Sequence, residues 1–274
     1  MQTKTVFITG ASSGIGKATA LFFQKKGWNV VATLRNPERE KELAVLPNIL
    51  LLKLDVCDEL SISLAVEKAV KHFGKIDVLV NNAGYGSLGS FESATQEQLK
   101  SQFETNVLGL MAMTRNILSH FRSNKSGVII NIASIAGRLG FPMFSVYNST
   151  KFAVEGFSES LRFELESFGI KVKLVEPGPI KTDFYTRSMD LFDTESIDEY
   201  KDLVKNVTET MVQSGLKAQG PELVAKTIFK AATSNTKKLR YPVGGGAPAM
   251  MIARWILPDC VLQRVIKLAL GMKK

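Results

Sequence analysis

Tyr147 and Lys151 lie four residues apart, a spacing that sets both side chains on one face of a helix. A phenol beside an ammonium can exchange a proton with a substrate oxygen. Far upstream, Thr9-Gly10-Ala11-Ser12-Ser13-Gly14-Ile15-Gly16 forms a glycine-rich turn directly after an apolar run. Glycines allow a tight bend and a close approach of backbone to ligand, and the helix that follows offers its N-terminus to phosphate. The spacing Gly10-x-x-x-Gly14-x-Gly16 is not Gly-x-Gly-x-x-Gly. Nor is it a nucleoside-triphosphate loop, because Ala11 and Ala18 stand where that loop needs glycine and Ser/Thr. A cradle for a dinucleotide pyrophosphate and a tyrosine proton donor together predict hydride transfer.

Such residues need an alternating frame to hold them. Short apolar runs at 5–9, 29–33, 48–54, 76–81, 128–133 and 171–176 predict strands buried on both faces, with a seventh near 239–243. Helical patterns fall between them, at 17–26, 60–73 and 145–168, each stopped by a glycine: Gly27, Gly74 and Gly169. Thr95-Gln96-Glu97-Gln98 reads as a capping box opening one long helix to about His120. The predicted fold class is α/β: a doubly wound, Rossmann-like parallel sheet with helices on both faces, in one domain over 1–274. Residues 182–220 interrupt the alternation, with six acids between Asp190 and Asp202 against Lys201. They predict a lid over the substrate, or else a solvated helical hairpin.

The chain has 274 residues, 45% hydrophobic and 22% charged, enough for one sizeable core. Its net charge of +9 is uneven. The 24 basic and 24 acidic residues up to Leu216 balance, whereas the last 58 residues hold 11 basic residues against Glu222 and Asp259. Without an aromatic–basic module, nucleic acid is not an expected partner. Residues 247–274 read instead as two short basic amphipathic helices that pack on the domain or a second subunit, or touch a membrane peripherally. No apolar stretch reaches the roughly 18 residues of a spanning helix. Two distant cysteines, Cys57 and Cys260, and a start that runs straight into a strand predict a reduced, cytoplasmic protein. His72 and His120 are isolated, so no metal is expected.

Cofactor choice is read after the second strand, where an acid would hold a ribose 2′-hydroxyl and an arginine a 2′-phosphate. The run Ala32-Thr33-Leu34-Arg35-Asn36 has no acid before Glu38. Arg35 therefore predicts NADP(H), with NAD(H) as the alternative.

Thr9–Gly16, Asn81-Asn82-Ala83-Gly84, Asn106, Ser134, Tyr147/Lys151 and Pro177-Gly178 occur in the order shown by the short-chain dehydrogenase/reductase family. The chain resembles the compact single-domain branch of that family. Leu34-Arg35 and the apolar C-terminal half are also similar to hydroxysteroid and retinol dehydrogenases. The resemblance implies a cofactor site of Gly10, Ser12, Ser13, Gly14, Ile15 and Gly16, with Asp55 and Val56 at the adenine and Asn82, Ala83 and Gly84 on the adenosine side. Pro177, Gly178, Ile180 and Thr182 would meet the nicotinamide carboxamide. Tyr147 becomes the general acid/base, and Lys151 bonds the nicotinamide ribose. Ser134 orients the substrate oxygen, and Asn106 holds a water in the proton relay. A free tyrosine has a pKa near ~10, and Lys151 with an oxidised nicotinamide is expected to favour phenolate. Dimers or tetramers through the two long helices are implied too. Tyr85, Leu139, Phe141, Met143, Phe144 and Val146, with Phe184, Tyr185, Met189, Leu191 and Phe192 from the lid, predict an apolar pocket for a steroid-, retinoid- or lipid-like ketone or alcohol. A protein that keeps the fold as a non-catalytic nucleotide sensor is the alternative.

Overall fold

The computed structural model describes residues 3–193, 197–270 and 272. Every predicted strand forms, with ends shifted by two residues at most. The strands are β1 (Thr5–Ile8), β2 (Asn29–Leu34), β3 (Ile49–Lys53), β4 (Val78–Asn81), β6 (Gly127–Ile132), β7 (Ile170–Pro177) and β9 (Arg240–Val243). They make one parallel sheet in the order β3-β2-β1-β4-β6-β7-β9. Strand order reverses between β1 and β4, and the crevice that opens at the carboxyl ends there is where such sheets bind ligands.

Both faces are covered. On one, α1 (Gly14–Lys25) and α7 (Glu222–Thr233) bury Ala20, Phe23, Val224 and Ile228 against Val6, Val30 and Val78. On the other, α2 (Glu59–Phe73), α4 (Leu110–Ser123) and α5 (Ser145–Leu165) bury Ile62, Ile117, Phe121 and Leu161 against Phe7, Leu79 and Ile129. The three predicted glycine stops all have positive φ, 77° at Gly27, 78° at Gly74 and 71° at Gly169, where a side chain would be strained.

The long helix expected from Thr95 to His120 is a correction. The capping box at Thr95 and Gln98 starts α3 (Gln96–Phe103) as predicted, but a π-helical stretch, Glu104–Gly109, separates it from α4. Two short strands were also unforeseen: β5 (Gly86–Leu88) pairs in parallel with β8 (Met189–Leu191) in a separate small sheet. Of the segment 182–220, the structure describes 182–193 and 197–220. A single helical turn at Asp183–Tyr185 leads into β8, and α6 (Asp198–Lys217) buries Val204 and Val207 against Leu88, Phe144 and Tyr147. The basic tail does form two amphipathic helices, α8 (Ala247–Ile256) and α9 (Asp259–Ala269), joined across Pro258 by an Arg254–Asp259 ion pair of 2.6 Å.

Candidate active site

The glycine turn is lashed to the loop after β4. The Thr9 hydroxyl accepts from the N–H groups of Asn82 and Ala83, both at 3.0 Å. Asn82 Nδ2 donates back to the carbonyls of Thr9 (3.0 Å) and Gly10 (2.9 Å). A Cβ on Gly10, at φ +68°, would stand 2.8 Å from Ala83 Cα, and one on Gly16 would stand 2.2 Å from the Gly10 carbonyl oxygen. This close packing leaves the N-terminus of α1, at Ser13, Gly14 and Ile15, lining an open cavity. The cradle fits a pyrophosphate: N–H groups at a helix start, beside backbone that tolerates no side chain.

Arg35 stands exposed just beyond β2 and has no acidic partner among the described residues. Asp55 and Val56 follow β3; an Asp55 carboxylate oxygen accepts from the Cys57 N–H at 3.0 Å, and Val56 packs against Gly109. These three, with Gly10, Ser12, Gly16 and Ala83, lie outside the cavity lining, along the neighbouring strand ends.

The reactive groups sit where β6 ends and α5 begins. A buried polar column fixes α5 to the sheet: Asn81 Nδ2 donates to Asn131 and Thr114 (both 2.9 Å), and Asn131 Nδ2 to the Ser158 hydroxyl (2.8 Å). Bonds of this kind, buried between sheet and helix, favour one seating of α5, although the Asn81 amide oxygen has no donor among the described residues. Ser134 Oγ accepts from the Ala136 N–H at 3.1 Å and reaches the Pro177 carbonyl at 3.4 Å. Lys151 Nζ donates to the Ile132 carbonyl at 2.9 Å and stands 5.7 Å from the Tyr147 ring centre. Burial lowers the Lys151 pKa to about 8, against the opposing charge of Glu155.

Burial also pushes the Tyr147 phenol well above its ordinary value, and a hydrogen bond with Ser134 only partly offsets this. The expected phenolate relied on an oxidised nicotinamide as well as on Lys151. Tyr147 is only 8% exposed, so removal of water from the anion outweighs its partners. The phenol holds its proton at neutral pH.

Asn106 lies in the π-helical stretch and is buried. Its oxygen accepts from the Tyr85 N–H (3.0 Å), and its amide donates to the Tyr85 carbonyl (2.9 Å) and the Thr150 hydroxyl (3.2 Å). Both amide hydrogens are thus committed to protein partners. Asn106 ties the Tyr85 loop to α5, and a Cβ on Gly84 would stand 2.9 Å from its oxygen.

Ser134, Tyr147 and Lys151 line a cavity of about 430 Å³, shared with Gly84, Pro177, Gly178, Ile180 and Thr182. Of the expected apolar wall, Tyr85, Phe141, Phe144, Phe184 and Tyr185 line it, whereas Leu139, Met143, Val146, Met189, Leu191 and Phe192 do not. Much of the remaining wall is Met211 of α6 with Met250, Ala253, Leu262, Val265, Ile266 and Leu270 from the tail. The available signal was the four-residue spacing of Leu262, Ile266 and Leu270, a stripe along one face of a helix.

The family profile described as short chain dehydrogenase matches residues 4–190. The chain belongs to the short-chain dehydrogenase family. It is 38% identical over 277 residues to the uncharacterized oxidoreductase YusZ of Bacillus subtilis (strain 168), covering 97% of this chain and 98% of that one. It is 34% identical to a 3-ketodihydrosphingosine reductase of Bacteroides thetaiotaomicron, with 98% of each covered. A short-chain dehydrogenase from Streptomyces avermitilis superimposes with a TM-score of 0.85 at 33% identity over the whole of both chains. The NADP complex of ElxO does so at 0.73 and 32% identity, over 90% of this chain and 99% of that one. A 3-ketoacyl-(acyl-carrier-protein) reductase from Brucella melitensis, 28% identical with a TM-score of 0.73 over 89% and 98%, is complexed with NADH. This short-chain dehydrogenase is therefore an oxidoreductase. The family profile ends at 190, so the tail that closes the cavity lies beyond what it describes.

Proposed function

We propose that the chain transfers a hydride between NADP(H) and a carbonyl or secondary alcohol on a bulky hydrophobic substrate, with Tyr147 as the general acid/base. The observation that carries this reading is a protonated phenol, a serine hydroxyl and an ammonium together in one apolar cavity that also meets the glycine cradle. A nicotinamide dinucleotide, when bound, supplies or takes the hydride. The protein does the rest. Ser134 hydrogen-bonds the substrate oxygen, and Tyr147 gives its proton to that oxygen as it gains negative charge. The Lys151 ammonium stabilises the phenolate left behind. Oxidation of an alcohol runs the same proton path backwards.

Gly10, Ser12, Ser13, Gly14, Ile15 and Gly16 hold the pyrophosphate. Asp55, Val56, Asn82, Ala83 and Gly84 hold the adenosine half, and Pro177, Gly178, Ile180 and Thr182 the carboxamide. Arg35 clamps the 2′-phosphate; its exposure without an acidic partner, and the NADP complex of the related ElxO, support that assignment. The aromatic and aliphatic walls and the 3-ketodihydrosphingosine reductase relative support a lipophilic substrate. Exposed Leu108 and Phe152, on the Asn106 and Tyr147 helical stretches, suit pairing between copies of the chain.

The test is a parallel titration with NADPH and NADH, then turnover of lipophilic and small ketones with the preferred cofactor. Tyr147→Phe should keep cofactor affinity and lose roughly 10²–10⁴ in turnover. Full turnover in that variant removes Tyr147 as proton donor. Arg35→Asp should weaken NADPH at least about tenfold while sparing NADH, since a charge-assisted bond is worth roughly 1.5–3 kcal/mol. Equal effects on both cofactors remove the clamp.

A further inference from the structure

The two C-terminal helices each carry two apolar stripes. The inward stripe closes the cavity. Among the described residues the outward one is exposed: Ile252, Trp255 and Ile256 on α8 and Val261, Val265 and Leu268 on α9 face water in whole or in part. Trp255 is 88% exposed and Leu268 77%. Their spacings, i, i+3, i+4 on α8 and i, i+4, i+7 on α9, put each set on one side of its helix. Contiguous apolar faces of this kind mark interaction surfaces on soluble proteins.

The charge around this face has one sign. The only acid on α8 and α9, Asp259, is held by Arg254, and among the described residues Arg264 and Lys267 have no acidic partner. These helices belong to the 58-residue segment that carries the whole net charge of the chain. Val265 belongs to both worlds: half exposed on the outward stripe, it also lines the cavity.

We infer that the outward face of α8 and α9 docks on an anionic lipid bilayer, with Trp255 and Leu268 at the headgroup–acyl boundary and Arg264 and Lys267 on the lipid phosphates. Tryptophan and leucine suit that depth, and cations beside them gain from anionic headgroups. A second copy of the chain fits less well. In a two-fold contact the patch meets itself, so its unneutralised cations would face cations. Docking would set the cavity mouth at Val265 against the membrane, and a lipophilic substrate would pass from the acyl layer to Tyr147. That last step rests on the hydrophobic-substrate reading; docking does not.

The experiment is co-sedimentation of the full chain with vesicles of phosphatidylcholine mixed with phosphatidylglycerol, beside vesicles of phosphatidylcholine alone. Binding is expected on the mixed vesicles, weakened by salt, with a blue shift of tryptophan emission from Trp255; Trp28, 8% exposed, stays constant. Arg264→Gln with Lys267→Gln should weaken binding about 25-fold, at roughly fivefold per cation. Trp255→Ser with Leu268→Ser should abolish binding while far-UV dichroism and turnover of a small soluble ketone stay unchanged. Equal binding to both vesicle types, or none, overturns the inference. So does a chain that ignores vesicles but is dimeric by sedimentation velocity and made monomeric by Trp255→Ser with Leu268→Ser. Because binding is read without turnover, failure of the substrate reading leaves docking standing, and the converse.

Discussion

Glu155, one helical turn beyond Lys151, faces Glu176 in the interior with too few donors between them. Arg240 takes one Glu155 oxygen at 3.0 Å and stands 3.7 Å from Glu176, as does Arg138. Among the described residues, the other Glu155 oxygen and both Glu176 oxygens have no donor. A proton held between the two carboxyls supplies one. Burial, then the charge of Glu176, raises Glu155 to about 8 from an ordinary 4.5. Between those values the folded chain keeps a proton that the unfolded chain releases, so this contribution is full below about 4.5 and is lost as pH rises towards 8. Lys151, lowered from 10.5 to about 8, acts only above that window. The urea midpoint should therefore fall from about pH 5 to 8, and Glu155→Gln should flatten the fall. An unchanged slope removes Glu155 as its source. The family resemblance pointed to Ser134 after the fifth strand, and residue types at fixed spacing made Tyr147 and Lys151 legible. Their ionisation was not, because burial decided the Tyr147 shift and burial is a property of the folded chain.

At the scale of elements, the π-helical stretch is where a side chain takes over main-chain work. Asn106→Ala would leave the half-buried Tyr85 N–H without its acceptor and cut the tie to Thr150, at a cost of about 1–3 kcal/mol. Chemical denaturation measures that cost, and a larger fall in turnover than in NADPH affinity would show that the Tyr85 loop and α5 had lost register. Gly16→Ala acts on the cradle: its Cβ would sit 2.2 Å from a backbone oxygen, so NADPH binding should fall at least about tenfold. The capping box at Thr95 was readable because it is made within four residues. The π-helical stretch was not, and the bonds Asn106 makes from it reach Tyr85 and Thr150, 21 and 44 residues away. Nor were β5 and β8, three residues each, whose pairing joins Gly86 to Met189. Lys173 is a further case. It interrupts a strand expected to be apolar, yet it is fully buried because its ammonium takes the carbonyls of Ala231 and Ser234, at 2.7 Å each, where α7 ends.

In the whole molecule, one sheet gathers the glycine turn and the Ser134, Tyr147 and Lys151 side chains at its strand ends, and a separate piece of chain finishes the cavity wall. Ile266, 8% exposed, belongs to that wall. Ile266→Trp should fill part of the cavity, raising KM for bulky ketones at least about tenfold while leaving small ketones and NADPH affinity nearly unchanged. Steady-state kinetics on two substrates of different size decides it. Uniform loss on both would mean the wall serves stability instead. The alternation of strands and helices made the sheet legible, because buried parallel strands leave short apolar runs between periodic helices. The tail was only half legible. Its stripes and charge were in the sequence, but which stripe meets Leu139 and Phe141 depends on contacts across more than a hundred residues.

The pieces of the cavity also follow one another along the chain: the glycine turn by Gly16, the polar trio by Lys151, the Pro177–Thr182 side, and the tail-side wall from Met211 to Leu270. During vectorial synthesis at about 5–20 residues per second, roughly 4–18 s separate Thr182 from Leu270. For that interval the nascent chain lacks α6, α7, β9 and the tail, the elements that cover Phe144 and one face of the sheet.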